Sequence, residues 1–363
     1  MRVLIVKLSS IGDVVHTLPA AALLRKALPE ARIDWVVERR ASAILEDSPV
    51  IDELFEIESR DWGKELFSGT GIRARFSELR TSLGSGAEGP IDIAVDFQGL
   101  MKSGLLAVVS RAKRRIGFET DELREKPSGI FLTERVETTQ LNHVIEKNLA
   151  LARAALNGSG KPAEDYSPNF EYEFPIRVSA EDERYAAEMI ETQNKLGNTQ
   201  FAILNPGGAW LTKLWPAERF AELGDWLWSE CGLGSFVTFG PAEESLAQRV
   251  AGHARSPMVR AIPTTIKQYV ALARRASLFV GGDTGPLHLA AASRTPIVGI
   301  YGPTSPERNG PFDRRDITIG RDLWCRADCH RRSCWHWECM DISVGDVKRA
   351  VLNRLSCSRE RRQ

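Results

Sequence analysis

The sequence has no excess of charge of either sign. Its 363 residues include 48 Lys and Arg and 48 Asp and Glu, so the formal net charge is zero. Binding along a nucleic-acid backbone needs an excess of basic residues. We therefore expect no nucleic-acid partner. Local basic clusters remain at 111–115 and 359–362. They form either a solvated face or a surface that is attracted to an anionic membrane.

Long apolar runs are missing too. A helix that spans a bilayer needs about 20 apolar residues, and no uncharged run approaches that length. The apolar start at 2–8 is short and contains Lys7, so it does not resemble a secretory signal. We expect a cytoplasmic protein, at most peripheral on a membrane surface.

Cysteine is sparse and does not suggest a secreted disulfide scaffold, since there are six in the whole chain. Four of them lie close together near two histidines: Cys325, Cys329, Cys334 and Cys339, with His330 and His336. The C-x3-C-x4-C-x4-C spacing lacks the tight C-x2-C pairs of common zinc sites. Free thiols or a redox-sensitive patch are therefore favoured over a structural metal, and no metal ligands are assigned.

Strand and helix patterns alternate along the chain, which predicts an α/β protein with parallel sheets. The length exceeds that of one ordinary core, so two domains are expected. We predict an N-terminal domain at 1–157 and a C-terminal domain at 176–342. A polar Gly/Pro-bearing linker at 158–175 joins them, and a helix and basic tail follow at 343–363. Two doubly wound halves imply a central cleft, with ligands at the carboxyl ends of the strands.

The apolar runs predict strands at 3–8, 33–37, 54–57, 91–96, 115–118, 201–205, 235–239, 278–281 and 296–300. Amphipathic segments predict helices at 13–28, 100–110, 141–156, 181–196, 217–230, 243–254, 266–274, 286–292 and 343–355.

The segment 278–292 predicts a site for a phosphorylated ligand. A buried strand ends in Gly281, Gly282, Asp283, Thr284 and Gly285, and a helix of small residues follows. Pro286 suits the first helical turn, where a missing N–H costs nothing. The backbone N–H groups and the dipole of such a helix start attract anions.

Asp13 follows the first strand at the start of a helix. The carboxylate either caps that helix or acts as a general base. The loop containing Ser10 has neither the dinucleotide-binding nor the P-loop glycine spacing. A dehydrogenase or an NTPase is therefore disfavoured.

Two further strand-to-helix loops carry polar groups. In the loop at 205–216, Thr212 and Lys213 can reach an anion, and Lys213 could neutralise a departing diphosphate. The alternative is an ordinary Gly-Pro loop with a surface lysine. Glu243 either binds a ribose or is a solvated helix start.

The first half contains candidates for a basic pocket that would bind an anionic sugar or phosphate. Gln98 and Lys102 follow a strand, whereas Arg60, Lys64 and Arg124 lie in loop-like stretches. Taken singly, each is more simply explained as an ordinary surface charge.

Three motifs, at 7–19, 96–102 and 281–288, make the chain resemble glycosyltransferase family nine, the lipopolysaccharide heptosyltransferases. They span most of the chain in the expected order. The opening segment and residues 60–64 are most similar to heptosyltransferase I, which adds the first heptose to a Kdo residue on lipid A.

The resemblance implies a GT-B fold with acceptor in the N-terminal domain and ADP-heptose in the C-terminal one. It implies direct displacement with inversion, Asp13 as general base and Lys213 as a contact to the donor diphosphate. Donor-site matches are Thr212, Lys213, Glu243, Asp283, Thr284, Gly285, Pro286 and His288. Acceptor-site matches are Lys7, Ser10, Arg60, Lys64, Gln98, Lys102 and Arg124.

No Asp-x-Asp motif stands out as a metal clamp, so no cofactor is required, and Mg²⁺ is compatible but not implied. The expected partners are ADP-heptose and Kdo-lipid A, on the cytoplasmic face of the inner membrane, and we expect a monomer. Alternatives are heptosyltransferase II, another family-nine transferase, or a non-catalytic module that binds nucleotide sugars.

Overall fold

The chain divides into two compact units, Met1–Arg177 and Val178–Gln363. They are seen in a computed structural model that describes residues 1–59, 77, 80–81, 89–157, 172–197, 200–325, 329 and 332–359, with the backbone alone at 357–359. Most of the predicted linker at 158–175 lies outside these residues.

The first unit is a six-stranded parallel sheet in the order β3-β2-β1-β4-β5-β6. Its strands are β1 Arg2–Val6, β2 Arg32–Glu38, β3 Glu53–Ile57, β4 Ile93–Asp96, β5 Arg114–Phe118 and β6 Glu134–Val136. The helices between and after them are α1 Ile11–Val15, α2 Leu18–Ala27, α3 Arg39–Ser42, α4 Met101–Val109 and α5 Val144–Leu156. In the central register, Ile5 of β1 pairs with Trp35 of β2 and Val95 of β4.

The second unit has the strand order β12-β11-β10-β7-β8-β9, again all parallel. Its strands are β7 Phe201–Asn205, β8 Gly234–Phe239, β9 Val259–Pro263, β10 Leu278–Gly282, β11 Ile297–Tyr301 and β12 Ile317–Gly320. Its helices are α6 Ala180–Asn194, α7 Ala217–Cys231, α8 Glu244–His253, α9 Ile266–Ala273, α10 Gly285–Ala292, α11 Pro306–Asn309 and α12 Val344–Arg359.

Both sheets have the doubly wound Rossmann order. The first three strands are added toward one edge of the sheet, and the fourth strand returns to the other side of the first, which reverses the order of strand addition. The reversal lies between β1 and β4 in the first unit and between β7 and β10 in the second. Loops diverge at the carboxyl ends of these strand pairs and leave a crevice for a ligand. The fold thus predicts one binding crevice in each unit.

Each unit has its own apolar core, because its central strands are covered on both faces. All residues of β1, β7 and β10 are buried, which explains their nearly continuous apolar sequences. In the second unit, Trp215 packs edge-on against Phe220 with ring centroids 4.9 Å apart. Buried side chains of this size each contribute about 1.5–3 kcal/mol through burial.

The segment predicted as one helix at 13–28 is two helices, and this prediction was wrong. α1 ends at Val15 and α2 begins at Leu18, with Pro19 in its first turn. Proline suits that position because it has no N–H to donate, whereas it disrupts a helix interior. The break separates the Asp13 turn from the long buried helix behind it.

β6, β9 and β12 were not predicted from the sequence, and all three are edge strands. β6 has only three residues and β9 ends in Pro263, so neither has the long apolar run of a central strand. Within the described part of the chain, no helix is long and apolar enough to cross a membrane.

Candidate functional site

The crevice of the second unit centres on Asp283, which directly follows β10 and is only 3% exposed. Three side chains donate to its two carboxylate oxygens. Lys213 Nζ lies 2.6 Å from Oδ2, while His288 Nε2 at 3.1 Å and Asn309 Nδ2 at 2.8 Å meet Oδ1. Burial raises the pKa of Asp283, but the hydrogen bonds and charges of His288 and Lys213 outweigh it and leave the pKa far below its usual value. Asp283 is therefore an ionised anchor whose oxygens are occupied by donors.

Lys213 is brought to this anchor by the loop after β7. Its ammonium also donates to the backbone oxygen of Asp283 at 2.9 Å and lies 4.9 Å from the centroid of the Trp210 ring. A lysine has three N–H donors, of which Asp283 engages two. The neighbouring Thr212 is buried, at 1% exposure. The structure thus joins Lys213 to Asp283, and Thr212 precedes Lys213 in the same loop.

Close approach in this crevice depends on glycines in the loop after β7. A Cβ on Gly207 would lie 2.5 Å from the carboxyl group of Glu243, and one on Gly208 would lie 3.0 Å from the Thr284 methyl carbon. Glu243, which precedes α8, accepts a hydrogen bond from the Gly240 N–H at 3.3 Å. Three loops that are distant in sequence therefore converge at the carboxyl ends of β7, β8 and β10.

The start of α10 faces the same crevice. Thr284 is the residue before the helix, and Pro286 occupies its first turn. Leu287 N–H donates to the Thr284 oxygen at 3.1 Å, whereas Pro286 has no N–H. An anion at this helix end would therefore meet the Gly285 N–H. Behind it, the Tyr269 hydroxyl donates to the Pro286 oxygen at 2.8 Å and holds this turn in place.

The crevice of the first unit centres on Asp13 in α1. Asp13 Oδ2 accepts hydrogen bonds from the Ser10 N–H at 2.7 Å and the Ser10 hydroxyl at 2.9 Å. Oδ1 lies 3.9 Å from Lys7 Nζ, and the side chain keeps 32% of its exposure. Burial raises the pKa of Asp13. The charge of Lys7, the Ser10 hydrogen bonds and the charge of Arg124 lower it by more, so the net pKa lies below the ordinary value. Asp13 is thus both part of the helix cap and an ionised, partly exposed carboxylate whose Ser10 hydrogen bonds engage Oδ2 alone.

The loop that carries Asp13 is held by Gln98, which follows β4. Gln98 Oε1 accepts from the Leu8 N–H at 3.0 Å and the Ser9 N–H at 3.2 Å. Gln98 is 3% exposed and Lys7 is 4% exposed. Lys7 Nζ donates to the Phe97 oxygen at 2.7 Å. Both residues therefore brace the loop from inside, rather than presenting side chains to solvent.

The remaining basic candidates separate. Arg124 is exposed and lies within electrostatic range of Asp13. Lys102 instead pairs with Glu38 Oε1 at 2.9 Å and the Ser59 hydroxyl at 2.7 Å, beyond the ends of β2 and β3. Arg60 and Lys64 lie outside the described residues.

Four features of these crevices were not predicted from the sequence: Asn309, Tyr269, Trp210 and the Glu38–Ser59 pair. One signal was available for Asn309: β11 is followed by Gly302-Pro303, the same Gly-Pro that follows β8 ahead of Glu243. Every strand in these sheets that leads into a glycine loop is a candidate for the crevice. The contacts of Tyr269 and Trp210 depend on tertiary packing and have no local signature.

Two doubly wound units, each with polar loops at its reversal point, are the domain architecture of the GT-B glycosyltransferases. The comparisons with known proteins agree. The family model described as Glycosyltransferase family 9 (heptosyltransferase) matches residues 79–336. Lipopolysaccharide heptosyltransferase 1 of Pseudomonas aeruginosa is 28% identical over 96% of this chain and 92% of its own length.

Lipopolysaccharide heptosyltransferase 1 of Escherichia coli K12 is 30% identical over 90% of this chain and 94% of its own length. The solved structure of E. coli heptosyltransferase WaaC with ADP is 26% identical and has a TM-score of 0.74. The match covers 98% of this chain and 100% of the solved WaaC chain. The chain belongs to glycosyltransferase family 9. The predicted family, the GT-B fold and a glycosyltransferase of the heptosyltransferase I type are confirmed.

Proposed function

We propose that this enzyme moves heptose from ADP-heptose to the Kdo of Kdo-lipid A, by direct displacement with inversion at the anomeric carbon. The observation that carries the proposal is the state of Asp13. Its carboxylate is ionised, and Oδ1 is not engaged by Ser10. Such an oxygen can take the proton of an acceptor hydroxyl as the new bond forms. General-base help of this kind is worth about 10²–10⁴-fold in rate.

In the second unit, the donor's diphosphate would lie between Lys213 and the start of α10. The ammonium donates two hydrogen bonds to Asp283, and its third N–H can meet a phosphate oxygen. The Gly285 N–H and the helix dipole would stabilise the negative charge that ADP gains as it leaves. Glu243, beside Gly207, is the candidate for the ribose hydroxyls.

On the acceptor side, Arg124 is the cation best placed to meet the anionic Kdo, because it is exposed and within electrostatic range of Asp13. We assign Ser10, Lys7 and Gln98 to positioning the Asp13 loop. Lys102 contacts Glu38 and Ser59 at the ends of β2 and β3. We therefore assign it to the part of the acceptor side that the chain reaches just before Arg60. Arg60 and Lys64 remain acceptor candidates on their motif alone.

The proposal is tested with Asp13→Asn, which keeps the shape of the side chain and removes the base. We expect ADP release from ADP-heptose and Kdo-lipid A to fall by about 10²–10⁴-fold, with ADP affinity unchanged. Asp92→Asn is a matched control. The Asp92 side chain has a similar exposed fraction, 34%, and its pKa is also lowered. Asp92 precedes β4 and so lies at the amino ends of the strands, whereas Asp13 lies beyond their carboxyl ends. If Asp92→Asn loses as much turnover as Asp13→Asn, or if Asp13→Asn retains full turnover, Asp13 is not the base.

The choice of acceptor is tested separately. Lipid A that bears Kdo but no heptose should support ADP release, whereas turnover only with Kdo-plus-heptose acceptor would assign the second transfer instead. We further propose a monomer that acts peripherally on the cytoplasmic face of the inner membrane, where a lipid-anchored acceptor is presented. Light scattering and co-sedimentation with anionic vesicles test these two statements. A dimer in the first, or no sedimentation in the second, would contradict them.

A further inference from the structure

A cavity in the second unit is lined by four cysteines. Cys325, Cys329, Cys334 and Cys339 all line it, and they lie within residues 325–339 of the chain. Thr212 of the donor loop and Pro303 after β11 are among the other residues that line it. None of the four is in a disulfide among the described residues. The cavity therefore gathers four soft ligands immediately behind a residue of the donor crevice.

The four thiols differ in burial in a way that fits a site closed from outside. Cys339 is 9% exposed and belongs to a short 3-10 turn, Glu338–Met340, that packs into the core. Cys329 and Cys334 are half-buried, and Cys325 is exposed. Because all four thiols line the same cavity, the three more exposed ones face the same space as the buried Cys339 thiol.

We propose that these four cysteines bind one soft divalent cation, Zn²⁺ or Fe²⁺, in a tetrahedral tetrathiolate site. Four thiolates around a single ion are typical of these two metals. Binding converts four thiols and M²⁺ into M(S–Cys)₄²⁻ and releases four protons, with no change in oxidation state. Four protein ligands leave no open coordination position, so the site is structural.

The thiols must turn toward one another to hold the ion. As they stand, the described side chains contain no group of three or more ligands that could hold a metal ion. Cys325 lies in a turn, and Cys329 and Cys334 lie outside helices and strands. Rotation about the Cα–Cβ bonds and small loop shifts can therefore close the site without breaking a helix or strand. Metal binding commonly orders such a site as it forms.

The consequence for the enzyme is a support behind the donor loop, and this part rests on the proposed function. The cysteine segment already contacts that loop: the Arg332 guanidinium lies 5.8 Å from the centroid of the Trp210 ring, which Lys213 also approaches. Thr212 lines the cysteine cavity itself. An ion bound there would tie 325–339 to the loop that positions Lys213.

The first test measures metal in the full-length protein, purified under reducing conditions without chelator and analysed by mass spectrometry for zinc and iron. We expect roughly one ion per chain, and the element found distinguishes the two metals. Cys325→Ser and Cys334→Ser should each lose most of it. These ligands are not in the core, so the variants should fold even if Cys339→Ser does not. Cys231→Ser, at the end of α7, is the matched control and should keep the ion.

A second readout is independent of activity. Reconstitution of the metal-depleted protein with Co²⁺ should produce the absorption bands of a tetrahedral cobalt thiolate, and these should be missing in Cys325→Ser. The metal proposal is overturned by a metal-free protein that takes up no Co²⁺, by disulfides among the four cysteines, or by equal metal loss in Cys231→Ser.

The link to the donor loop has its own measurement, the affinity for ADP. Removal of the ion should weaken ADP binding several-fold, while Cys231→Ser binds ADP as the wild type does. Unchanged ADP affinity in the metal-free protein would overturn the link. Metal content and the cobalt spectrum do not depend on heptose transfer, so failure of the proposed function would leave them unaffected and distinguishable.

Discussion

Replacing Asp283 by alanine removes the anchor of the donor crevice and should destabilise the second unit by about 3 kcal/mol. Asp283 is buried and accepts from Lys213, His288 and Asn309. Removing one partner of a buried ion pair typically costs about 3–5 kcal/mol, because the other charge is left unpaired. The Lys213 side chain is 16% exposed, so water can take up part of its charge. We therefore place the loss at the lower end of that range.

The assay is urea unfolding of the full chain, followed by the fluorescence of buried tryptophans such as Trp215. For a denaturant dependence of about 2 kcal/mol per M, a loss of 3 kcal/mol lowers the midpoint of the second unit by about 1–2 M. Asp283→Asn should lose less, because its amide oxygen can still accept one hydrogen bond.

Asp313→Ala is the matched control for this prediction. Asp313 lies in the same unit and pairs with Arg315, but the two side chains are 33% and 39% exposed. An exposed pair contributes about 0–1 kcal/mol. The reasoning is refuted if Asp283→Ala unfolds at the same urea concentration as Asp313→Ala. The sign with pH is also fixed: the pKa of Asp283 is lowered, so its contribution is present above about pH 4 and is lost as the pH falls below the ordinary value of 3.8.

Three further predictions concern other buried positions. Burial raises the pKa of Asp316 to about 6, so wild-type stability should fall by up to about 3 kcal/mol from pH 4 to 6 and then level off. The urea midpoints at pH 5 and pH 7 should differ less in Asp316→Asn than in the wild type. An equal difference in the two proteins would contradict this. Asn148 donates to the His16 oxygen at 3.0 Å and the Thr17 hydroxyl at 3.1 Å behind the Asp13 turn; Asn148→Ala should cost about 1–3 kcal/mol in thermal or urea unfolding, and no loss would dismiss this tether. A Cβ on Gly282 would lie 2.8 Å from the Lys213 backbone oxygen, whereas one on Gly252 has no neighbour within 4 Å. Calorimetry should therefore show weaker ADP binding for Gly282→Ala and unchanged ADP binding for Gly252→Ala. Equal affinities of the two variants would refute the steric explanation.

The central strands were predictable because both of their faces are buried. β7 was predicted to the residue, and β10 and β8 to within one. Three of the four edge strands, β6, β9 and β12, were not predicted, because one side of an edge strand has no neighbour and short or charged sequences suffice there. β6, Glu-Arg-Val, has no apolar run to detect. The break between α1 and α2 was signalled by Pro19, but the amphipathic pattern on both sides of it was continuous.

The site was predictable as a set of loops and not as a set of contacts. Strand-to-helix loops with glycine are visible locally, so Thr212, Lys213, Asp283 and Thr284 could be proposed together. The ion pair between Lys213 and Asp283 joins residues 70 positions apart, and it forms because β7 and β10 are neighbours in the sheet. The burial of Lys7 and Gln98 could not be foreseen, since polar residues next to a crevice suggest ligand contacts before they suggest loop supports.

The two crevices use the same residue types for different purposes, and burial decides which. Each has an aspartate after or near a central strand, with a lysine beside it: Asp13 with Lys7 at 3.9 Å and Asp283 with Lys213 at 2.6 Å. Both carboxylates have lowered pKa values and are ionised at neutral pH. Asp283 is enclosed by donors on both oxygens, so it can position Lys213 but cannot reach a substrate proton. Asp13 keeps a partly exposed side chain and an oxygen outside hydrogen-bond distance of Lys7, so of the two carboxylates it is the one we propose as the base.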